Sequence, residues 1–195
     1  MRHTKGHAAG FSLVELVIVI AVVMIGLAVA VVNIRTGLAS SRLNSGVQIT
    51  LSQLRLAREA AVARRMSYRV TFTQPGTILT ERLVQGQRPV QERTISLPPE
   101  TQFLAPPGLP SPGPDGFGAG RAAIDFDQAN GGGSNVVLFV PDGTALGAAG
   151  SPDDGVIYIA HARGLAPPRA ISLWGATGRF KVWILTTAKG GPKWN

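Results

Sequence analysis

The sequence predicts an α+β fold in which a long N-terminal helix packs against an antiparallel β-sheet domain with two sets of strands. Between Phe11 and Met66 there is no proline, and apolar residues recur there at helical spacing. From Ser67 onward the apolar period changes to two, and most of the 24 glycines and 14 prolines follow. The length of 195 residues suits one modest globular domain preceded by an anchor.

The first half of the predicted helix is apolar on all sides. From Leu13 to Val32 the only charged residue is Glu15. About 20 apolar residues in a helix are long enough to cross a bilayer. Arg2 and Lys5 precede the run, and basic residues favour the cytoplasmic side. We therefore expect residues 11–34 to span a membrane after a leader of residues 1–10.

The second half, residues 35–66, is apolar on one side. Its apolar residues recur at spacings of three and four, which is typical of an amphipathic helix: Leu43, Val47, Leu51, Leu54, Ala57 and Ala61. The arginines between 55 and 65 fall mostly off this stripe and are expected to be solvated. Gly26, Gly37 and Gly46 weaken the helix locally, and we expect a bend or a melted turn between Asn33 and Ser45.

Residues 67–195 are expected to form the β-rich domain. A first meander is predicted over 67–73, 77–84 and 90–97, laid on the amphipathic half of the helix. A second set is predicted over 123–127, 135–140, 156–161, 170–174 and 179–186. Between them, residues 98–120 are dense in proline and glycine and are expected to form a long exposed loop. The tail after Ala188 is expected to fray.

Two interpretations of the N-terminus compete. A secretory signal peptide also has a basic start and an apolar core, with Ala28-Val29-Ala30 as its best cleavage site. Against it, the run is long and carries a glutamate. The stretch Gly10-Phe11-Ser12-Leu13-Val14-Glu15 instead resembles the processing site of type IV prepilins and pseudopilins. The resemblance implies cleavage after Gly10 and N-methylation of Phe11.

The resemblance also implies a role for Glu15. Cleavage creates a positive amine on Phe11, and a nearby carboxylate can neutralise it in an apolar layer. The resemblance implies that Glu15 recruits the subunit during filament assembly. The simpler interpretation is that Ser12 and Glu15 form a capping box, and both can hold together.

The order of elements resembles the GspH/FimT branch of the pseudopilins. Residues 138–144, with Phe139-Val140-Pro141-Asp142-Gly143, and the late Gly178-Arg179 match features of that branch. The resemblance implies a structural minor pseudopilin in a periplasmic type II secretion pseudopilus, near its tip. It implies an inner-membrane, single-pass protein with a periplasmic C-terminal domain.

The same resemblance implies partners: other pilins or pseudopilins, a prepilin peptidase, and an inner-membrane assembly platform with its ATPase. The alternative is a minor pilin that primes a type IV pilus and binds DNA in natural transformation. Some members of this family bind DNA through a basic motif that begins Gly-Arg. Here Arg179 and Lys181 would point the same way from one strand. The simpler interpretation is an ordinary polar edge strand, in which a lysine discourages aggregation.

The residues indicate no enzyme, metal or cofactor. The 195 residues include no cysteine, which excludes disulfides and cysteine metal sites. Beyond the leader, His161 is the only histidine, and we expect a surface or core residue there. Asp153 and Asp154 lack the spacing of a calcium loop and are expected to be turn residues. Trp174 and Trp183 lie in predicted strands and are expected to pack in the core. The net charge of +8 favours anionic partners only weakly.

Overall fold

The computed structural model describes residues 12–147, 150–188 and 190–195, without the side chains of residues 28–34, 129 and 188. The chain divides into two compact units, with the boundary between Gly37 and Leu38. The α+β prediction is confirmed, because one long helix precedes eleven antiparallel strands in the described part.

Helix α1 comprises Leu13–Arg64. It is continuous in secondary structure, so the melted turn predicted between Asn33 and Ser45 is not formed. In the first unit, the large apolar side chains from Leu13 to Leu27 are exposed, with values from 49 to 78%. Within the described residues, no helical stretch meets the length and apolarity needed to cross a membrane.

In the second unit, the helix buries the predicted apolar stripe. All six stripe residues are at most 5% exposed, and Leu43, Leu54 and Ala61 are fully buried. They form one core with side chains from both sheets, including Phe72, which contacts Phe103 at 5.6 Å and Phe126 at 5.8 Å between ring centroids. Packing against the sheets, rather than helix propensity, therefore fixes this part of the helix.

The first sheet contains five antiparallel strands in the order β3-β2-β1-β6-β7. Their bounds are β1 Ser67–Thr73, β2 Thr77–Leu83, β3 Val90–Ser96, β6 Val136–Phe139 and β7 Ala145–Leu146. The predicted meander β1-β2-β3 is confirmed, with Val70 opposite Thr80 in the register. Strand β6 was predicted to join the second set, and that prediction is wrong: β6 pairs with the free edge of β1 and places Val137 opposite Val70.

The second sheet has the order β11-β10-β9-β8-β4, and β5 pairs with β8 off this path. Its strands are β4 Thr101–Phe103, β5 Ile124–Asp125, β8 Gly155–His161, β9 Arg169–Trp174, β10 Arg179–Ala188 and β11 Gly191–Trp194. The tail predicted to fray is strand β11, which pairs with β10 from Leu185 opposite Trp194 onward. That prediction failed because the aromatic side chain of Trp194 packs on Tyr158, at 5.6 Å between centroids.

The prediction of a long exposed loop over 98–120 is also wrong. Its first part contains β4, and its second part lies closely on the outer face of the second sheet, away from the helix. Gly113 approaches so closely that an added Cβ would overlap the hydroxyl oxygen of Tyr158. Phe117 packs there as well, with its ring centroid 4.9 Å from that of Trp174. Residues 104–120 therefore form a packed loop over this face, which we call the cover loop.

Candidate functional site

The predicted processing site is only partly within the described residues. Gly10 and Phe11 lie outside them. Glu15 is an exposed residue in the first turn of α1, among exposed apolar neighbours. The backbone N–H of Leu16 donates to the carbonyl of Ser12 at 3.1 Å, so the helix is hydrogen-bonded from this point.

The capping box suggested for Ser12 and Glu15 is not formed among the described residues. Neither side chain takes part in a hydrogen bond with the other residue's backbone there. Glu15 therefore presents its carboxylate as the one acidic group in an exposed apolar stretch. Such a group is costly in an apolar layer unless a cation lies beside it.

The two residues predicted to contact DNA lie on one face of β10, as predicted. Arg179 pairs with Trp174, and Lys181 pairs with Ser172, in the register with β9. Arg179 is exposed and forms no ion pair within the described part of the chain. Lys181, in contrast, has partners: its Nζ lies 3.5 Å from the ring centroid of Trp183 and 4.0 Å from Asp115 Oδ1.

Asp115 is the residue that sequence reasoning missed on this face. It occupies a left-handed backbone position with φ of 57° in the 3-10 turn Pro114–Gly116. Its Oδ2 accepts hydrogen bonds from Ser172 Oγ at 2.5 Å and from Trp174 Nε1 at 3.3 Å. The carboxylate thus ties the cover loop to strands β9 and β10. The Pro-Asp-Gly sequence predicts a turn in the backbone. It does not predict the hydrogen-bond partners of Asp115, which lie about 60 residues later in the chain.

The two tryptophans of these strands, Trp174 and Trp183, differ in how far they are buried. Trp183 donates from Nε1 to Ser172 Oγ at 3.0 Å and packs against the core cluster of Val156, Tyr158 and Ala170, so the expected core packing is found with the ring half-buried. Trp174 was predicted to lie in the core, and that is wrong, since it is 41% exposed. It alternates with Leu173, which lies in the core, so its ring lies on the opposite face, where its indole N–H donates to Asp115 and its ring packs on Phe117.

A second polar cluster joins the helix to the start of β4. Glu100, at φ of 62°, accepts a hydrogen bond from Arg42 Nη1 at 2.5 Å and lies 3.5 Å from Arg163 Nε. His161 is buried, as one of the two expected alternatives, and its Nδ1 accepts the N–H of Arg163 at 3.1 Å. The cluster fixes the helix against the second sheet, and its carboxylate already has cationic partners.

Asp153 and Asp154 lie in the irregular connection between β7 and β8, outside any hydrogen-bonded turn. Asp154 Oδ1 accepts the N–H of Gly175 at 2.7 Å, and Asp153 Oδ1 accepts the N–H of Asp127. Asp153 is 1% exposed, and its Oδ2 has no hydrogen-bond partner. Burial, together with the charges of Asp127 and Asp154, raises the pKa of the Asp153 carboxyl to about 6. The described residues contain no group of three or more metal-binding side chains.

Comparison with known families identifies the N-terminal segment. The prokaryotic N-terminal methylation motif matches residues 5–31. This match covers Gly10, Phe11 and Glu15, and it confirms the resemblance of this segment to type IV pilin-like proteins.

Among solved structures, the chain is similar to the minor pseudopilin EpsH from the Type 2 Secretion System of Vibrio cholerae. The similarity has 11% sequence identity and a TM-score of 0.34, and it covers 76% of this chain and 91% of that chain. No curated protein matches the sequence.

Proposed function

We propose that this chain is a minor pseudopilin, assembled near the tip of a periplasmic type II secretion pseudopilus. Before assembly, residues 11–34 anchor it in the inner membrane, and the β-rich domain lies in the periplasm. Its partners are other pseudopilins, a prepilin peptidase, and an assembly platform with its ATPase. The observation that carries the proposal is the methylation motif at residues 5–31, directly joined to an exposed apolar helix surface with one carboxylate. The role is structural rather than catalytic.

The exposed apolar side chains of the first half of the helix favour an apolar environment over water. Each large aliphatic side chain contributes about 1.5–3 kcal/mol when it leaves water. Side chains from Leu13 to Leu27 are exposed around the helix, so this stretch favours lipid, neighbouring apolar helices, or each in turn. In either surrounding an unpaired Glu15 carboxylate is costly, by less than the roughly 2.5–3.5 kcal/mol of a charge at the centre of a bilayer, because Glu15 lies near the end of the span. The methylated amine of Phe11 in a neighbouring subunit would supply the missing cation.

The processing step is tested by the mass of the mature N-terminus. We expect a chain that starts at N-methylated Phe11. Gly10→Val should accumulate as uncut precursor, because a branched side chain blocks the peptidase. A mature chain that starts elsewhere contradicts the proposal.

The pairing of Glu15 is tested by co-assembly. Glu15→Ala should be processed and inserted normally, since the segment becomes more apolar. Its recovery with neighbouring subunits after cross-linking should fall strongly. Glu59→Ala, which removes an exposed carboxylate of the second unit, is the matched control and should assemble normally. Normal co-assembly of Glu15→Ala would contradict the proposed pairing of Glu15 with the amine of a neighbouring Phe11.

The alternative, a DNA-binding minor pilin, finds less support on β10. The contacts of Lys181 with Asp115 and Trp183 leave Arg179 as the more available cation of the pair. Backbone contacts by few cations give weak, salt-sensitive binding. A gel shift across a salt series decides this alternative: binding at low salt that Arg179→Gln with Lys181→Gln abolishes would favour the minor pilin.

A further inference from the structure

A groove of about 750 Å³ opens at the end of the second sheet where β8 turns into β9. Most of its lining is apolar and rigid, with proline pairs from the cover loop and from the turn before β9. Leu165 and Ile184 stand at the groove with 43% and 41% of their surfaces exposed. We call this surface the Arg169 groove, after the one arginine or lysine among its lining residues.

Arg169 is buried in this groove with only a small part of its bonding capacity used. The residue is 7% exposed, and its Nη1 donates to the carbonyl of Pro167 at 2.7 Å. Every ion pair among the described residues involves other side chains. Burial alone lowers the pKa of this guanidinium, and no neighbouring anion opposes that effect. A guanidinium offers five N–H donors, so several remain for a partner.

A largely buried cation without an anion is costly, because it has lost much of its contact with water and gained no counter-charge. An anion that enters the groove lowers this cost. A planar guanidinium matches a carboxylate through two parallel hydrogen bonds, and burial strengthens them. The apolar walls would at the same time take up the side chains beside that carboxylate.

We propose that the Arg169 groove binds an apolar peptide segment of another protein through a carboxylate that pairs with Arg169. The carboxylate is either the C-terminus of that segment or an acidic side chain within it. A lone guanidinium fits one carboxylate, whereas an anionic lipid head group is usually met by several cations. The groove volume accommodates a short segment of a few residues rather than a folded domain. This inference does not depend on the assignment as a pseudopilin.

The test uses the full-length chain in nanodiscs and labelled pentapeptides of sequence Gly-Leu-Val-Leu-Leu. One peptide has a free C-terminus, a second has a C-terminal amide, and a third is the amide with glutamate in place of valine. We expect the first, the third, or both to bind at least about tenfold tighter than the second, as one charge-assisted contact predicts. The tighter of the two identifies the source of the carboxylate.

Variants assign the effect to the groove. Arg169→Met should abolish the preference for a carboxylate and leave the unliganded protein at least as stable, because an unpaired buried charge is replaced by an apolar chain. Arg88→Met, which changes an exposed arginine outside the groove, is the control and should bind as the native protein does. Leu165→Glu should weaken binding of the carboxylate peptides at an exposed position that folding does not require.

Three results would overturn the proposal. The first is equal binding of all three peptides, and the second is a carboxylate preference that survives Arg169→Met. The third is binding of decanoate with no binding of any peptide, which would make the groove a lipid site.

Discussion

Gly46 lies within the helix at a point where strand β4 is close to the helix, and this makes Gly46→Ala a sharp test of the packing. An added Cβ at this position would lie 2.7 Å from Thr101 Cγ2 and 3.6 Å from Pro98 Cδ. At Gly37, in the same helix, nothing lies within 4 Å of the added atom. The two substitutions therefore make the same change in helix propensity and differ in packing.

The expected magnitudes follow from these two terms. Alanine favours an exposed helix by about 1 kcal/mol over glycine, so Gly37→Ala should leave stability unchanged or raise it by up to that amount. At Gly46 the contact with Thr101 must open by roughly 1 Å, and overpacking of this kind costs about 1–3 kcal/mol. Thr101 is buried and β-branched, so it yields poorly. Gly46→Ala should therefore lose up to about 2 kcal/mol in the free energy of unfolding relative to the native protein, and about 1–3 kcal/mol relative to Gly37→Ala.

Urea unfolding of the full-length variants, followed by circular dichroism, measures this difference. The double variant Gly46→Ala with Thr101→Ser removes the methyl group in the way, and it should recover most of the loss through a non-additive coupling. If Gly46→Ala is as stable as Gly37→Ala, the close approach of β4 to the helix is refuted.

Two further substitutions test the cover loop and the buried aspartate. Asp115→Asn keeps the left-handed turn but removes the charge that Ser172 and Lys181 contact. We expect the free energy of unfolding to fall by about 1 kcal/mol and proteolysis within the cover loop to become faster. An unchanged rate of cleavage would contradict the role of Asp115 in holding the cover loop on the sheet. Asp153 has a folded pKa of about 6 against an ordinary value of 3.8, so its carboxyl lowers stability as pH rises from about 4 to 6 and fully above that range. Asp153→Asn should therefore gain up to about 3 kcal/mol at pH 7.5 and nothing at pH 3.5; a gain of equal size at both pH values would contradict the burial of this carboxylate.

Local patterns predicted the elements but not all of their neighbours. The stripe from Leu43 to Ala61 and the strands from Ser67 onward could be predicted because helix and strand periods are properties of short windows. The sheet membership of β6 could not, because it depends on which distant edge is free. Val136–Phe139 is short, and its own alternation fits either sheet. The meander leaves one edge of β1 unpaired, and β6, which is distant in the sequence, pairs with that edge.

The prediction of an exposed loop over residues 98–120 was wrong for a different reason. Its composition correctly excludes an α-helix and a long central strand, but composition does not say whether a loop meets solvent or a sheet. Gly113 and Phe117 are informative only once Tyr158 and Trp174 are known to lie beneath them. Short strand β4 was likewise hidden, because three residues are too few to show a period.

The same limit applies to the basic residues of β10. Alternation correctly placed Arg179 and Lys181 on one face, since side chains two apart point the same way. The same alternation brings Trp183 beside Lys181, and the register brings Ser172 opposite it. The cover loop then delivers Asp115 to this group from outside the pattern. Whether a lysine is free for an anionic partner is thus decided by a loop more than 50 residues earlier, and only the folded chain reveals that Lys181 and Arg179 differ.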